Sequence, residues 1–283
     1  MRCIFCSGDT TESKSVEHIV PESFGNEHHL LPKGIVCDNC NNYFARKVEH
    51  PFLEQECIRT LRFEVGLENK RGRIPQQRCK IGGVEGNVLK CVKNNKQEWH
   101  IQIPEGASEK VQSATRILML ATNDTQLLEK NKVTSRFLAK VALESLARRM
   151  LDLGEEEDVD EVVNDKSFDK IRKFAREGNE ISWDYNIRRI YGIHEKVKLS
   201  DGTEDLINFE SDFLITEQLE WYFVIALYGI EYVINLGGSD IEGYKLWLNE
   251  NDNKSPLYHK NEEKIRKALD KHQILYDTIH KKQ

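Results

Sequence analysis

No stretch of the 283 residues approaches the roughly 18 consecutive apolar residues that a membrane-spanning helix requires, and 31% of the chain is charged, so a transmembrane reading falls away. The N-terminus, Met1-Arg2-Cys3-Ile4-Phe5-Cys6, also lacks the apolar run of roughly 7–15 residues that marks a signal peptide; cysteines stand there instead, and the expected location is the cytoplasm. An excess of positive charge is missing too. The 41 Lys+Arg are outnumbered by 47 Asp+Glu, for a formal net charge of −6. A field of that sign repels phosphate and argues against a general nucleic-acid coat protein, unless local patches reverse it. There is no internal repeat and no low-complexity tract. Hydrophobic residues, at 39%, suffice for a core and argue against full-length disorder.

What is present is concentrated at the beginning. The first 65 residues hold five of the seven cysteines and four of the nine histidines. Cys3-x-x-Cys6 and Cys37-x-x-Cys40 form two knuckles separated by 30 residues. Each knuckle turns two thiolates toward one ion, and two knuckles complete the tetrahedral shell of a structural zinc. Four thiolates leave no open coordination position, so this Zn²⁺ is expected to hold the fold and take no part in chemistry. A small unit without much core is the usual place for such an ion.

Between the knuckles, Ser15 to Pro21 alternates and contains β-branched residues, which predicts a short strand stopped by the proline. A second short strand is expected near Ile35-Val36, then a helix from Asn41 to about Glu49, with Pro51 opening another helix. Residues 66–80 read as a basic linker. Beyond it, strands are predicted over 87–93 and 98–103, helices over 135–151 and 168–177, strands from 188 to 248 with a hairpin at Gly229, and a polar helix over 261–280. The fold class is therefore α+β: a small N-terminal unit over 1–65, the linker, and a larger α+β domain over 81–283 for recognition, regulation or assembly.

Glu17-His18-Ile19-Val20-Pro21 and Cys37-Asp38-Asn39-Cys40-Asn41 together resemble the zinc-stapled HNH endonucleases. In that family an acidic residue and a histidine lie on the first strand of a ββα-metal unit, two Cys-x-x-Cys pairs frame it, and Asn or His follows the second pair. The resemblance covers about residues 1–55. It implies an endonuclease that hydrolyses the phosphodiester bonds of nucleic acid, DNA in the first place, with His18 as the general base that activates water. Glu17 and Asn41 would hold a catalytic Mg²⁺ or Mn²⁺, leaving positions for water and a phosphate oxygen. Histidine as a residue type titrates near pH 6.5, which suits that task. By the same resemblance alone, anti-phage defence is the expected setting. A non-catalytic zinc-stapled module that binds nucleic acid or protein is the competing reading.

Two positions depart from the family pattern. The stretch Leu31-Pro32-Lys33 has no His or Asn where the family places its middle residue, which supports the loop that orients the histidine. Ala45 stands where some relatives carry a further metal-binding histidine; Asn42, Glu49 and His50 are the other candidates nearby. Phosphate-backbone contacts are expected from Lys33, Arg46, Lys47, Arg59, Arg62, Arg71 and Arg73, although a solvated linker accounts for the basic run equally well. His28 and His29 read as loop residues, and Cys57, Cys79 and Cys91 as core or surface thiols. The acidic run 155–161 reads as a solvated loop, and Trp183, Trp221 and Trp247 as core aromatics of strands. A regulatory protein or a second copy of the chain would dock on the larger domain.

Overall fold

The computed structural model describes residues 1–257 except 70, 94–95, 113, 115, 120–127, 154–155, 179–181 and 199–201, so the helix expected over 261–280 lies outside the described residues. Contacts gather the chain into two compact units that alternate along the sequence. Met1–Val20 and His28–Glu49 group with the residues from Lys130 onward, and Pro21–Glu27 groups with His50–Glu129. This grouping differs from a linear division at 65 and 81. The reason lies in the helix Lys132–Leu153, on which both the strand Leu30–Leu31 and the turn Ala45–Glu49 pack.

In the first unit the chain turns sharply from Cys3 to Ser7, whose N–H donates to the Cys3 carbonyl at 2.8 Å. Glu17–His18 then pairs antiparallel with Leu30–Leu31, Glu17 opposite Leu31 and His18 opposite Leu30. The second strand is thus not at Ile35-Val36. Those residues are a buried loop, and the Ile35 carbonyl accepts from the Ile4 N–H at 3.0 Å, which binds the loop to the first knuckle. The helix begins at Asp38, ahead of the expected Asn41, because the Cys37 sulfur caps it by accepting from the Cys40 N–H. It runs to Phe44, whose ring lies 4.3 Å from that of Phe5, and continues as a π-helical turn over Ala45–Glu49.

The helix Lys132–Leu153 is buried without a break from Phe137 to Ala147. A helix enclosed on every face belongs to the middle of a core. The strand Ile230–Asn235 and the helices Glu156–Asn164 and Asp169–Glu177 pack around it. Most of the acidic run, expected as a loop, therefore lies in a helix. The antiparallel sheet runs in the order Phe209–Ile215, Trp221–Leu227, Ile230–Asn235, Tyr185–Arg189. Its central hairpin turns at Tyr228-Gly229, with φ of +48° and +80°, the pair of positive angles that a two-residue type I′ turn demands. A Cβ on Gly229 would lie 2.1 Å from the Tyr191 carbonyl oxygen, so only glycine fits. Strands do not continue to Leu248, since Glu242–Glu250 is a helix. Tyr244, Leu246 and Leu248 alternate as in a strand, yet Leu246 is exposed while Tyr244 and Leu248, four apart, are buried. Trp247 accordingly sits on a helix, its ring stacked on Tyr244.

The second unit contains the helices His50–Leu53 and Glu56–Val65 and a sheet in the order Lys96–Gln102, Val84–Lys93, Gln77–Ile81, Ile117–Met119. Phe63, Ile74, Cys79, Ile81 and Val88 form its core. The expected linker is therefore a loop only as far as Gln76; the strand Gln77–Ile81 carries Cys79 and Ile81 into the core. Lys90 is buried between the Phe63 and Trp99 rings, 4.5 Å from each centroid, and its ammonium donates to the Phe63 and Glu64 carbonyls at 2.8 and 3.1 Å. Those carbonyls close the Glu56–Val65 helix, where the backbone dipole favours a cation. Among the described residues no helix is long and apolar enough to cross a membrane.

Candidate metal and catalytic site

The two knuckles converge. The sulfur atoms of Cys3, Cys6, Cys37 and Cys40 all lie within 4.8 Å of one another, and none is in a disulfide. The Cys6 and Cys37 sulfurs are 3.7 Å apart, which matches the edge of about 3.8 Å of a tetrahedron with Zn–S bonds of about 2.3 Å. The Cys37 N–H points at the Cys3 sulfur at 3.4 Å, the kind of bond that supports a thiolate ligand. A hydrogen bond from Cys40 pulls the Cys3 thiol down to about 4, and the same bond pushes Cys40 up. The donor set and its spacing fit a structural zinc ion.

The short strand of the motif is fixed one residue at a time. The Asp38 carboxylate, on the first turn of its helix, accepts from the Lys14 N–H at 3.1 Å and the Ser15 N–H at 2.9 Å. The Asn41 amide nitrogen donates to the Val16 carbonyl at 3.4 Å, bringing Asn41 beside the residue that precedes Glu17. Glu17 is buried, and its Oε1 lies 2.6 Å from the Lys140 ammonium. That ammonium is also 2.5 Å from Glu49 Oε1 and 2.9 Å from Glu144 Oε2, and it donates to the His18 carbonyl at 3.3 Å. Lys140 and Glu144 have no exposed side-chain surface. Desolvation opposes the charge on Lys140, but Glu144, Glu17 and Glu49 together outweigh it and raise the ammonium well above its ordinary value. Burial raises the Glu144 carboxyl well above its ordinary value, against the opposing pull of the Lys140 ammonium. The His18 side chain is half-buried on this strand.

The sequence did not single out Lys140 or Glu144. The available signal is their i,i+4 spacing within the mostly apolar run Phe137–Leu146, two charges of opposite sign on one helix face. Glu49, one of three nearby candidates, reaches this cluster; Asn42 and His50 are exposed. His29 is not a solvated loop residue, since its ring approaches Phe209 and burial, helped by Arg148, lowers its pKa from 6.5.

The basic residues divide. Lys33, Arg46 and Lys47 are exposed in the first unit, and Arg71 and Arg73 are exposed in a turn organised by the Asn69 side chain in the second. Arg59 is half-buried and donates to the Gln76 carbonyl at 3.3 Å. Arg62 corrects the expectation of a phosphate contact: it is 4% exposed and its Nε donates to the Ser23 carbonyl at 3.1 Å. A further group, Cys91, Glu98 and His100, shares one face of a hairpin, but His100 and Glu98 are exposed and paired with each other at 3.6 Å.

The family model of the HNH endonucleases matches residues 3–56, the stretch that contains both knuckles, Glu17, His18 and Asn41. No curated protein and no solved structure matches the chain.

Proposed function

We propose that residues 3–56 are the nuclease module of a metal-dependent endonuclease that hydrolyses nucleic-acid phosphodiester bonds, DNA in the first place. One observation carries this reading. The stretch matched by the HNH family model brings a four-cysteine cluster, the Glu17–His18 strand and Asn41 into one small structure.

In this reading His18 takes a proton from the attacking water and returns it to solvent. A divalent ion such as Mg²⁺ or Mn²⁺ held by Glu17 and Asn41 would neutralise charge at the phosphate and the leaving oxygen. The residues suit such an ion. Asn41 makes its tether through the amide nitrogen, which does not consume its oxygen, and Glu17 offers a carboxylate, the hard oxygen donor such an ion prefers. Lys33, Arg46 and Lys47 would contact phosphates from the first unit, and Arg71 and Arg73 from the second, while Arg59 and Arg62 are taken up by internal bonds. The residues after 81 serve recognition, regulation or assembly, in a cytoplasmic, anti-phage setting.

A second reading is a non-catalytic binding module, favoured by the burial of Glu17 against a lysine that neutralises it. Incubating supercoiled plasmid, single-stranded DNA and RNA with the full chain and Mg²⁺ or Mn²⁺ separates the two. Metal-dependent cleavage lost in His18→Ala supports the enzyme. Binding without cleavage under both metals favours the module.

A further inference from the structure

Resting on the nuclease reading, we infer that Lys140, far outside the stretch matched by the HNH family model, is the positioning residue of the Glu17–His18 pair. It holds Glu17 by its side chain and His18 by its backbone.

The strand itself cannot do this. Glu17–His18 is two residues long and among the described residues pairs with Leu30–Leu31 alone, so the ladder offers little to fix where the two side chains point. The residues before it are pinned by Asp38 and Asn41, and the next N–H, that of Ile19, donates to the His29 carbonyl at 3.3 Å. One ammonium reaches both Glu17 and His18, the first through its side chain and the second through its carbonyl. Lys140 has three N–H donors and no solvent to spend them on. Glu17, Glu49, Glu144 and the His18 carbonyl surround it within 3.3 Å.

Stability alone is a poor explanation for this arrangement. Well-packed apolar residues often replace a buried ion cluster without loss, and in some proteins such buried polar groups are kept because they fix register. The lysine emerges from the middle of an enclosed helix, so its ammonium is delivered to a defined point. The absence of the family's middle residue at Leu31-Pro32-Lys33 leaves room for a support of this kind.

The test uses the full chain with Lys140→Met, Lys140→Gln and Lys140→Arg, and Arg149→Met as a control. Arg149 is on the same helix and pairs with Asp212 at 2.9 Å, so its loss disturbs an ion pair of that helix other than the Lys140 cluster. Lys140→Met is expected to lower kcat for Mn²⁺-dependent nicking at least tenfold with KM for plasmid unchanged. Hydrogen exchange in the peptide spanning residues 16–20 should accelerate at the same time. Lys140→Arg should recover part of both effects, and Arg149→Met should move neither. If Lys140→Met does not fold, Lys140→Gln is read the same way. A folded neutral variant that cuts within twofold of the wild type overturns the inference. Should the wild type cut no nucleic acid, the nuclease reading fails by itself, and exchange still decides the positioning role: unchanged protection over 16–20 overturns it.

Discussion

Stripping the zinc ion, by chelation or by Cys37→Ser, should unfasten the N-terminal segments while leaving the C-terminal sheet folded. Serine supplies a hydroxyl that stays protonated near neutral pH, so the variant offers three thiolates and no fourth anionic ligand. Structural zinc sites of this kind contribute about 10–16 kcal/mol of apparent binding energy in small peptides. A whole domain is typically stable by only about 5–15 kcal/mol, so the segments that hang on the knuckles cannot absorb that loss. The structure indicates how far it spreads. Ile4, Phe5, Ile35, Val36 and Phe44 are buried around the cluster, and the Arg172 guanidinium donates to the Ile4 carbonyl at 2.6 Å. Lys140 would lose the His18 carbonyl and two carboxylates, so the loosening should reach the middle of the helix Lys132–Leu153. The hairpin Trp221–Leu227 and Ile230–Asn235 has its own partners in Tyr222, Val224, Val233, Ile241 and Tyr244 and should keep its protection. Hydrogen exchange read by mass spectrometry resolves these three levels: lost over 1–20 and 37–44, reduced around 140, retained over 221–235. Metal-free protein with native protection over 1–20 and 37–44 would refute the structural role of the ion.

The remaining predictions concern separate parts of the chain. His18→Ala should reduce cleavage by about 10²–10⁴-fold, the usual contribution of a general base, with the melting temperature unchanged; a variant that retains activity removes His18 from the mechanism. Gly229→Ala should destabilise by at least about 2 kcal/mol, combining a positive φ with a close approach to the Tyr191 carbonyl, and an unchanged thermal transition would contradict the turn geometry. His29 should titrate below 6.5 by NMR. Because its folded pKa is depressed, its neutral form contributes stability above pH 6.5 that is lost as pH falls through the folded value, and His29→Gln should flatten that slope. Arg62→Ala should lower stability and leave the salt dependence of DNA binding alone, whereas Arg71→Ala with Arg73→Ala should reduce that dependence without moving the thermal midpoint.

The parts legible in the sequence were those in which a local pattern dictates a local geometry. Two Cys-x-x-Cys spacings place four sulfurs together, Tyr228-Gly229 between two apolar runs makes a hairpin, and an apolar stretch around Leu138–Leu146 makes the central helix. What sequence concealed was set by partners distant along the chain. Ile35-Val36 has the composition of a strand but bonds to the first knuckle instead. Arg62 looks like any basic residue of a charged run, and only burial against Ser23 separates it from Arg71 and Arg73. Glu17 carries the family pattern in full view. The cation that answers it lies 123 residues on, at a position with no motif of its own.

That separation has a meaning for biogenesis. A chain is made from its N-terminus at about 5–20 residues per second, so Glu17 and His18 leave the ribosome some 6–24 seconds before Lys140 does, given that Lys140 stands 122 positions after His18. Both knuckles are complete by Cys40, so zinc can be loaded onto the nascent chain during this interval. A nuclease whose geometry depends on Lys140 would stay idle until that residue has emerged and its helix has formed, while the chain is still tethered beside ribosomal RNA and messenger.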